Sequence, residues 1–164
     1  ALAALRHYVA LHNSELTAAG MTASGAQALF VNKHGGRLSS RSVRRKVTKY
    51  LEQVVSEAID DGCKIFVCMA GMAAALPGVV AAMTTLPVNG VPVGGKVPYD
   101  SLLSIVQMPP GMPVATVGVD RGDNAAVLAI QMLSLIDSDL ASSFSDWRVS
   151  RTNQVIADDE SLRE

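Results

Sequence analysis

CKIFVCMAGMAAALPGVVAAMTTLPVNGVPV, residues 63–93, is the stretch on which the fold turns. It opens on one continuous apolar run, Cys63–Ala70, and closes on another, Leu86–Val93. Both have the length of a strand rather than of a helix. Between them, Leu76–Met83 reads as a helix. Strands that are apolar throughout, rather than alternating, are covered on both faces, and helical crossovers make them parallel.

The pattern continues downstream. Ser101–Gln107 reads as a helix and Pro113–Asp120 (PVATVGVD) as a third strand. Asp123 is expected to cap a helix over Asn124–Ile136. A last helix covers residues 139–157, with Leu140, Phe144, Trp147, Arg151 and Val155 along one side. The expected class is α/β, a three-layer sandwich around a parallel sheet, Rossmann- or flavodoxin-like, with a divergent N-terminal third.

Upstream the reading changes. Residues 2–12 place apolar side chains at helical spacing, and residues 13–27 read as a polar loop with some helical turn. Ala28–Asn32 reads as a short strand, followed by a Gly35-Gly36 turn. Ser39 or Ser40 is expected to cap a long helix that runs to about Asp61. Val43, Val47, Tyr50, Leu51, Val54 and Ala58 form an apolar stripe on it, and Gly62 is suited to follow its end.

Apolar residues make up 49% of the 164 residues, but aromatics only 4%, so Ala, Val, Leu, Ile and Met must build the core. No apolar run approaches the roughly 18–20 residues that span a bilayer. Arg6 and His7 interrupt the first apolar stretch, which makes a poor signal peptide. No membrane role and a cytoplasmic location are expected. Cys63 and Cys68 sit five apart in a strand and face opposite sides, which argues against a disulfide between them. With no histidine nearby, no zinc site is expected.

The net charge of −1 conceals an asymmetry. Residues 1–53 hold eight lysines and arginines against two acids; residues 54–164 hold six against thirteen. The two parts are read as distinct segments, 1–53 and 54–164, within one structural unit.

In open parallel sheets, ligands lie beyond the carboxyl ends of the strands. Three loops fall there. Residues 70–78 are small, with Pro77 suited to a first helical turn whose free N–H groups can meet a carboxylate or phosphate. The same small residues also suit close helix–strand packing. Gly94–Asp100 offers Lys96 to a phosphate, or to solvent. Asp120–Asp123 reads as a turn into a cap.

The strings AGMAAALPGVVAAMTTLPVNGVPV, DSLLSIVQMPPGMPVATVGV and NAAVLAIQML resemble the carboxyaminoimidazole ribonucleotide mutases, the PurE family. DSLLSIVQMP, residues 100–109, is the most specific run, and the likeness covers residues 54–157. It implies a three-layer α/β sandwich, a homo-octamer, and carboxylate transfer on an aminoimidazole ribonucleotide in purine biosynthesis, without metal or organic cofactor. It places Ala70, Gly71, Leu76 and Pro77 around the carboxylate pocket, and Ser101, Met108 and Pro109 at a wall shared with a neighbour.

Three family elements are missing. These are the N-terminal Gly-Ser-x-Ser-Asp loop, the Ser-Ala-His-Arg-Thr-Pro motif that carries the proton-shuttling histidine, and the histidine of Ala-Ala-His-Leu-Pro-Gly, where Ala75 stands. Residues 54–164 contain no histidine, the usual group titrating near neutrality. No catalytic residue is therefore assigned. Carboxylases of nickel-pincer cofactor synthesis resemble residues 71–80 but match 100–109 poorly.

Residues 28–51 (ALFVNKHGGRLSSRSVRRKVTKYL) resemble a piece of a Xer-type tyrosine recombinase, a likeness that extends over residues 1–53. Its His-x-x-Arg motif and nucleophilic tyrosine are missing, which excludes strand exchange. A chimera accounts for both resemblances. Two alternatives stand beside the enzyme reading: a non-catalytic assembly module, and nucleic-acid binding through Arg41, Arg44, Arg45 and Lys49 in the basic segment 33–49.

Overall fold

The computed structural model describes residues 2–18, 30, 36–97 and 99–163. Two compact units divide the chain, residues 1–51 and 52–164. The strand read at Ala28–Asn32 and the turn at Gly35 lie, apart from Phe30, outside the described residues.

In the first unit, α1 spans Leu2–Ala18, longer than the helix read from the sequence. Glu15, Leu16 and Ala18 are good helix formers, and they carry the helix through the expected loop. The Tyr8 and Phe30 rings pack with centroids 5.5 Å apart. The helix α2, Ser40–Asp60, begins in this unit and ends in the second. Its start follows the sequence reading: Ser39 Oγ accepts from the Ser42 N–H at 3.1 Å, which satisfies an otherwise orphaned donor. Its end is marked by Gly62 at φ +89°. The apolar stripe does not become core. Val43, Val47, Tyr50 and Val54 are all exposed, and only Val55 is buried.

The second unit is a parallel sheet of β1 (Phe66–Gly71), β2 (Val88–Val93) and β3 (Ala115–Thr116), in that order. The crossovers are α3 (Leu76–Ala81) and α4 (Asp100–Val106), followed by α5 (Gly122–Leu133) and α6 (Ser138–Ser161). Neighbouring residues of β2 fix the layers. A Cβ on Gly90 would meet Ile105 of α4 at 2.5 Å and Pro77 of α3 at 3.6 Å. Asn89, pointing the other way, donates to the Ala125 carbonyl of α5. Helices thus lie on both faces, the three-layer flavodoxin-like sandwich expected. Val55, Cys68, Val80 and Val88 form the core, flanked by Phe66, Met83 and Val114.

Three readings need correction. The third strand is two residues long rather than eight. Val117 N donates to Gly90 O, but the next bond to β2 comes from Asp120 N to Pro92 O, so one extra residue breaks the ladder. Asp123 does not cap α5; it lies in the first turn and pairs with Arg121 at 2.5 Å. Finally, β1 is not covered on both faces. Val67 and Met69 are exposed on the α5 side, because α5 reaches β2 more fully than β1. Both cysteines are free, and Cys63 precedes the strand.

Candidate active site

All three strands run the same way, so their carboxyl ends gather loop residues 72–75, 94–97, 99 and 117–121 along one edge. The backbone along this edge is unusual. Met72 (φ 55°), Ala74 (38°), Tyr99 (63°) and Asp120 (58°) are the non-glycine residues at positive φ among those described. Every one of them lies in these loops. An L side chain in that region costs about 1–2 kcal/mol, so surrounding contacts must hold it there.

Those contacts are visible. Ala74 is buried and donates its N–H to Gly71 O at 2.9 Å, which closes the turn into α3. Asp120 holds the other two loops. Its backbone N–H donates to Pro92 O at 2.8 Å, and its Oδ1 accepts from Gly94 N at 2.8 Å. Ser101 Oγ donates to Val93 O at 2.9 Å, so the start of α4 is tied to the end of β2.

Of the residues read from the sequence, Ala70, Gly71, Leu76, Pro77 and Ser101 lie along this edge, whereas Met108 and Pro109 follow the far end of α4, on the amino side of the sheet. Ala70 and Gly71 end β1, in register with Pro92 and Val93. Pro77 is buried at the start of α3, with Leu76 half exposed beside it and Ala75 exposed before it. Ser101 is only 2% exposed and its hydroxyl proton is spent on the backbone, which makes it a support of the edge. Met108 reaches α3: a Cβ at Gly78 would stand 3.1 Å from its Sδ. Pro109 is exposed. Arg41, Arg44, Arg45 and Lys49 lie on α2 and are all exposed.

The sequence reading gave Asp120 only a turn role and missed its clasp on Gly94. An Asp next to an Arg-Gly pair carries no signal for a bond 26 residues back along the chain. Within the described residues, no group of three metal-ligating side chains is present. A groove of ≈ 490 Å³ opens at the opposite, amino end of the strands, between Thr84, Thr85, Pro87, Met112 and Pro113. None of the site residues lines it. At the carboxyl edge, by contrast, the strand-end loops converge and the backbone is held in strained form.

Residues 37–154 match the family model described as AIR carboxylase. Over 120 residues the chain is 47% identical to an N5-carboxyaminoimidazole ribonucleotide mutase of Methanocaldococcus jannaschii, a match covering 73% of this chain and 74% of that protein. It is 47% identical over 100 residues to the mutase of Pyrococcus abyssi, covering 60% and 58%. Against a phosphoribosylaminoimidazole carboxylase of Candida albicans it is 45% identical over 116 residues, 70% of this chain but only 20% of that longer protein. The family match begins at Arg37 and so takes in α2, part of the stretch read from the sequence as recombinase-like. With a parallel sandwich, converging strand-end loops and a match over most of its length, the chain belongs to the AIR carboxylase family.

Proposed function

We propose that this chain binds an aminoimidazole ribonucleotide at the carboxyl edge of its sheet and transfers a carboxylate on it, in a form weakened by the lack of a histidine. The observation that supports this best is the clustering of all four strained non-glycine residues in the strand-end loops, beside Ala70, Gly71 and Pro77. Strain held at one edge by specific bonds is the mark of a preorganised site. Moving a carboxylate from nitrogen to a ring carbon requires removing the carbon's proton and returning one to nitrogen. An imidazole titrates in the right range for both steps. Residues 54–164 contain none.

We further propose that copies of the chain associate, up to the homo-octamer that the resemblance implies. Leu135 and Ile136 are more than four-fifths exposed, and Trp147 is nearly half exposed. Contiguous exposed apolar side chains mark association surfaces. The origin of residues 1–53 as an exchanged segment, and a cytoplasmic location, belong to the same reading. No helix among the described residues is long and apolar enough to cross a membrane.

The test is a carboxylate-transfer assay between pH 5 and 9, run beside equilibrium binding of the ribonucleotide, on the chain and on Ala75→His. Binding with slow turnover, raised at least about tenfold by the added imidazole, is expected. Binding with no turnover in either form would leave a non-catalytic module. Absence of binding in a chain shown to be folded would overturn the assignment. Light scattering on a sizing column reads the association.

A further inference from the structure

The first half of α2 carries a surface that carboxylate transfer does not use. From Arg37 to Leu51 the sequence has six cations and no acid. Arg41, Arg44, Arg45, Lys46 and Lys49 all lie on the helix and all are exposed. Among the described residues the ion pairs are Arg121–Asp123 and Arg163–Asp159, and none involves these five cations. Among the described residues, no ion pair neutralises their charge. Cations in one helix repel one another and weaken it, so a run of five left unpaired calls for a counter-charge from outside.

Their arrangement on the helix narrows what that partner is. At about 100° per residue, Arg41, Arg45 and Lys49 follow each other down one face, with Arg44 and Lys46 on its flanks. Val43, Val47, Tyr50 and Val54 form the exposed apolar stripe, and the two faces point about 170° apart on an ideal helix. A helix that lies in a membrane surface needs its cations beside its apolar face, so that both meet the same plane. Here the row Arg41, Arg45 and Lys49 is opposed to the stripe and only Arg44 and Lys46 flank it, so a lipid surface that takes the stripe leaves the row unmet. Single-stranded nucleic acid is gripped by stacking bases on aromatic rings set among the cations. This basic face has none, since Tyr50 belongs to the opposite stripe. A row of arginines and lysines about 12 Å long, with only Ser42 and Thr48 between them and no apolar or aromatic side chain, matches the regularly spaced phosphates of a double helix.

We propose that the Arg41–Lys49 face of α2 binds the phosphate backbone of double-helical nucleic acid, without regard to base sequence. Glu52 lies on the same side one turn beyond Lys49, so the surface ends there. About four phosphate contacts fit it, and this proposal stands apart from the reading of the sheet edge.

The experiment is fluorescence anisotropy of the full chain with four probes: a 20-base-pair DNA duplex, an RNA duplex of the same length, a single strand, and vesicles containing phosphatidylserine. Binding to a duplex is expected, with log K falling against log salt at a slope near −4, roughly a hundredfold loss between 50 and 200 mM. Relative binding of the two duplexes tells DNA from RNA. Arg41→Gln, Arg44→Gln, Arg45→Gln and Lys49→Gln together should abolish binding, whereas Lys64→Gln with Arg151→Gln should leave at least half of the affinity. Circular dichroism checks that each variant keeps its helix content. Duplex affinity unchanged in the quadruple variant would overturn the proposal. So would a stronger hold on the single strand or the vesicles than on either duplex.

Discussion

The Asp120 carboxylate accepts the Gly94 N–H at 2.8 Å and thereby joins the loop after β3 to the loop after β2. The contact is close on both sides, since a Cβ at Gly94 would stand 2.8 Å from Asp120 Oδ2. Asp120 pays for this with a left-handed backbone, φ 58°.

Two substitutions separate its roles. Asp120→Ala loses the acceptor and keeps a backbone that alanine dislikes, so a loss of about 1 kcal/mol is expected for this exposed bond. Asp120→Asn keeps an oxygen toward Gly94 and tolerates the left-handed region, so it should cost only a few tenths. Denaturant midpoints measure both. Equal losses would mean that the clasp contributes nothing.

Gly90 is the closest approach between β2 and the helices over it. Gly90→Ala would set a methyl 2.5 Å from Ile105 Cγ2 and 2.8 Å from Val114 Cγ1, and overpacking of that kind costs about 1–3 kcal/mol. Ile105→Ala opens a cavity of its own, yet the double variant should cost less than the two added together. Strict additivity in a double-mutant cycle would place the strain elsewhere.

Asn89 is fully buried in β2, and its Oδ1 has no hydrogen-bond partner, while Nδ2 donates to Ala125 O at 3.2 Å. An unmet buried acceptor costs about 1–3 kcal/mol. Asn89→Leu, of similar shape, is expected to raise stability by about 1 kcal/mol, read as a higher melting temperature. A fall would show that the amide is worth more than its missing bond.

Burial pushes the Cys68 thiol above the ordinary range, since desolvation disfavours the thiolate. In the native chain it should react with an aromatic disulfide reagent far more slowly than in denaturant. The raised value also has a stability consequence. Its contribution is complete below the unfolded thiol's pKa and is lost as pH rises through the folded one. Stability of the wild-type chain should therefore fall faster in alkali than that of Cys68→Ala. Parallel pH profiles would exclude the linkage.

Much of this was legible in residue order. Three apolar runs with helices between them announced a parallel sandwich, because strands covered on both faces cannot alternate polar and apolar residues. Ser39 and Gly62 bounded α2 by local chemistry alone, a capping hydroxyl and a left-handed glycine. The loops at residues 72–75 and 94–97 were located for the same reason: parallel strands send their carboxyl ends to one edge.

Apart from one local signal, what residue order did not reveal depended on distant partners. Asp137 caps α6 through the Leu140 N–H, a local signal that was available and passed over. The stripe on α2 carried the spacing of a core face, yet spacing reports only that apolar residues share a side. Whether a partner covers that side is decided by what packs there, and Val43, Val47 and Tyr50 stay exposed. The shortness of β3 and the Asp120–Gly94 bond likewise arise only once β2 lies alongside. The sequence by itself determined the class of fold, the ends of α2 and the edge where the strand-end loops gather, since each rests on neighbours along the chain. The tertiary structure decided which apolar faces are buried and which loops are tied together, since burial and hydrogen bonding require the partner to be in place.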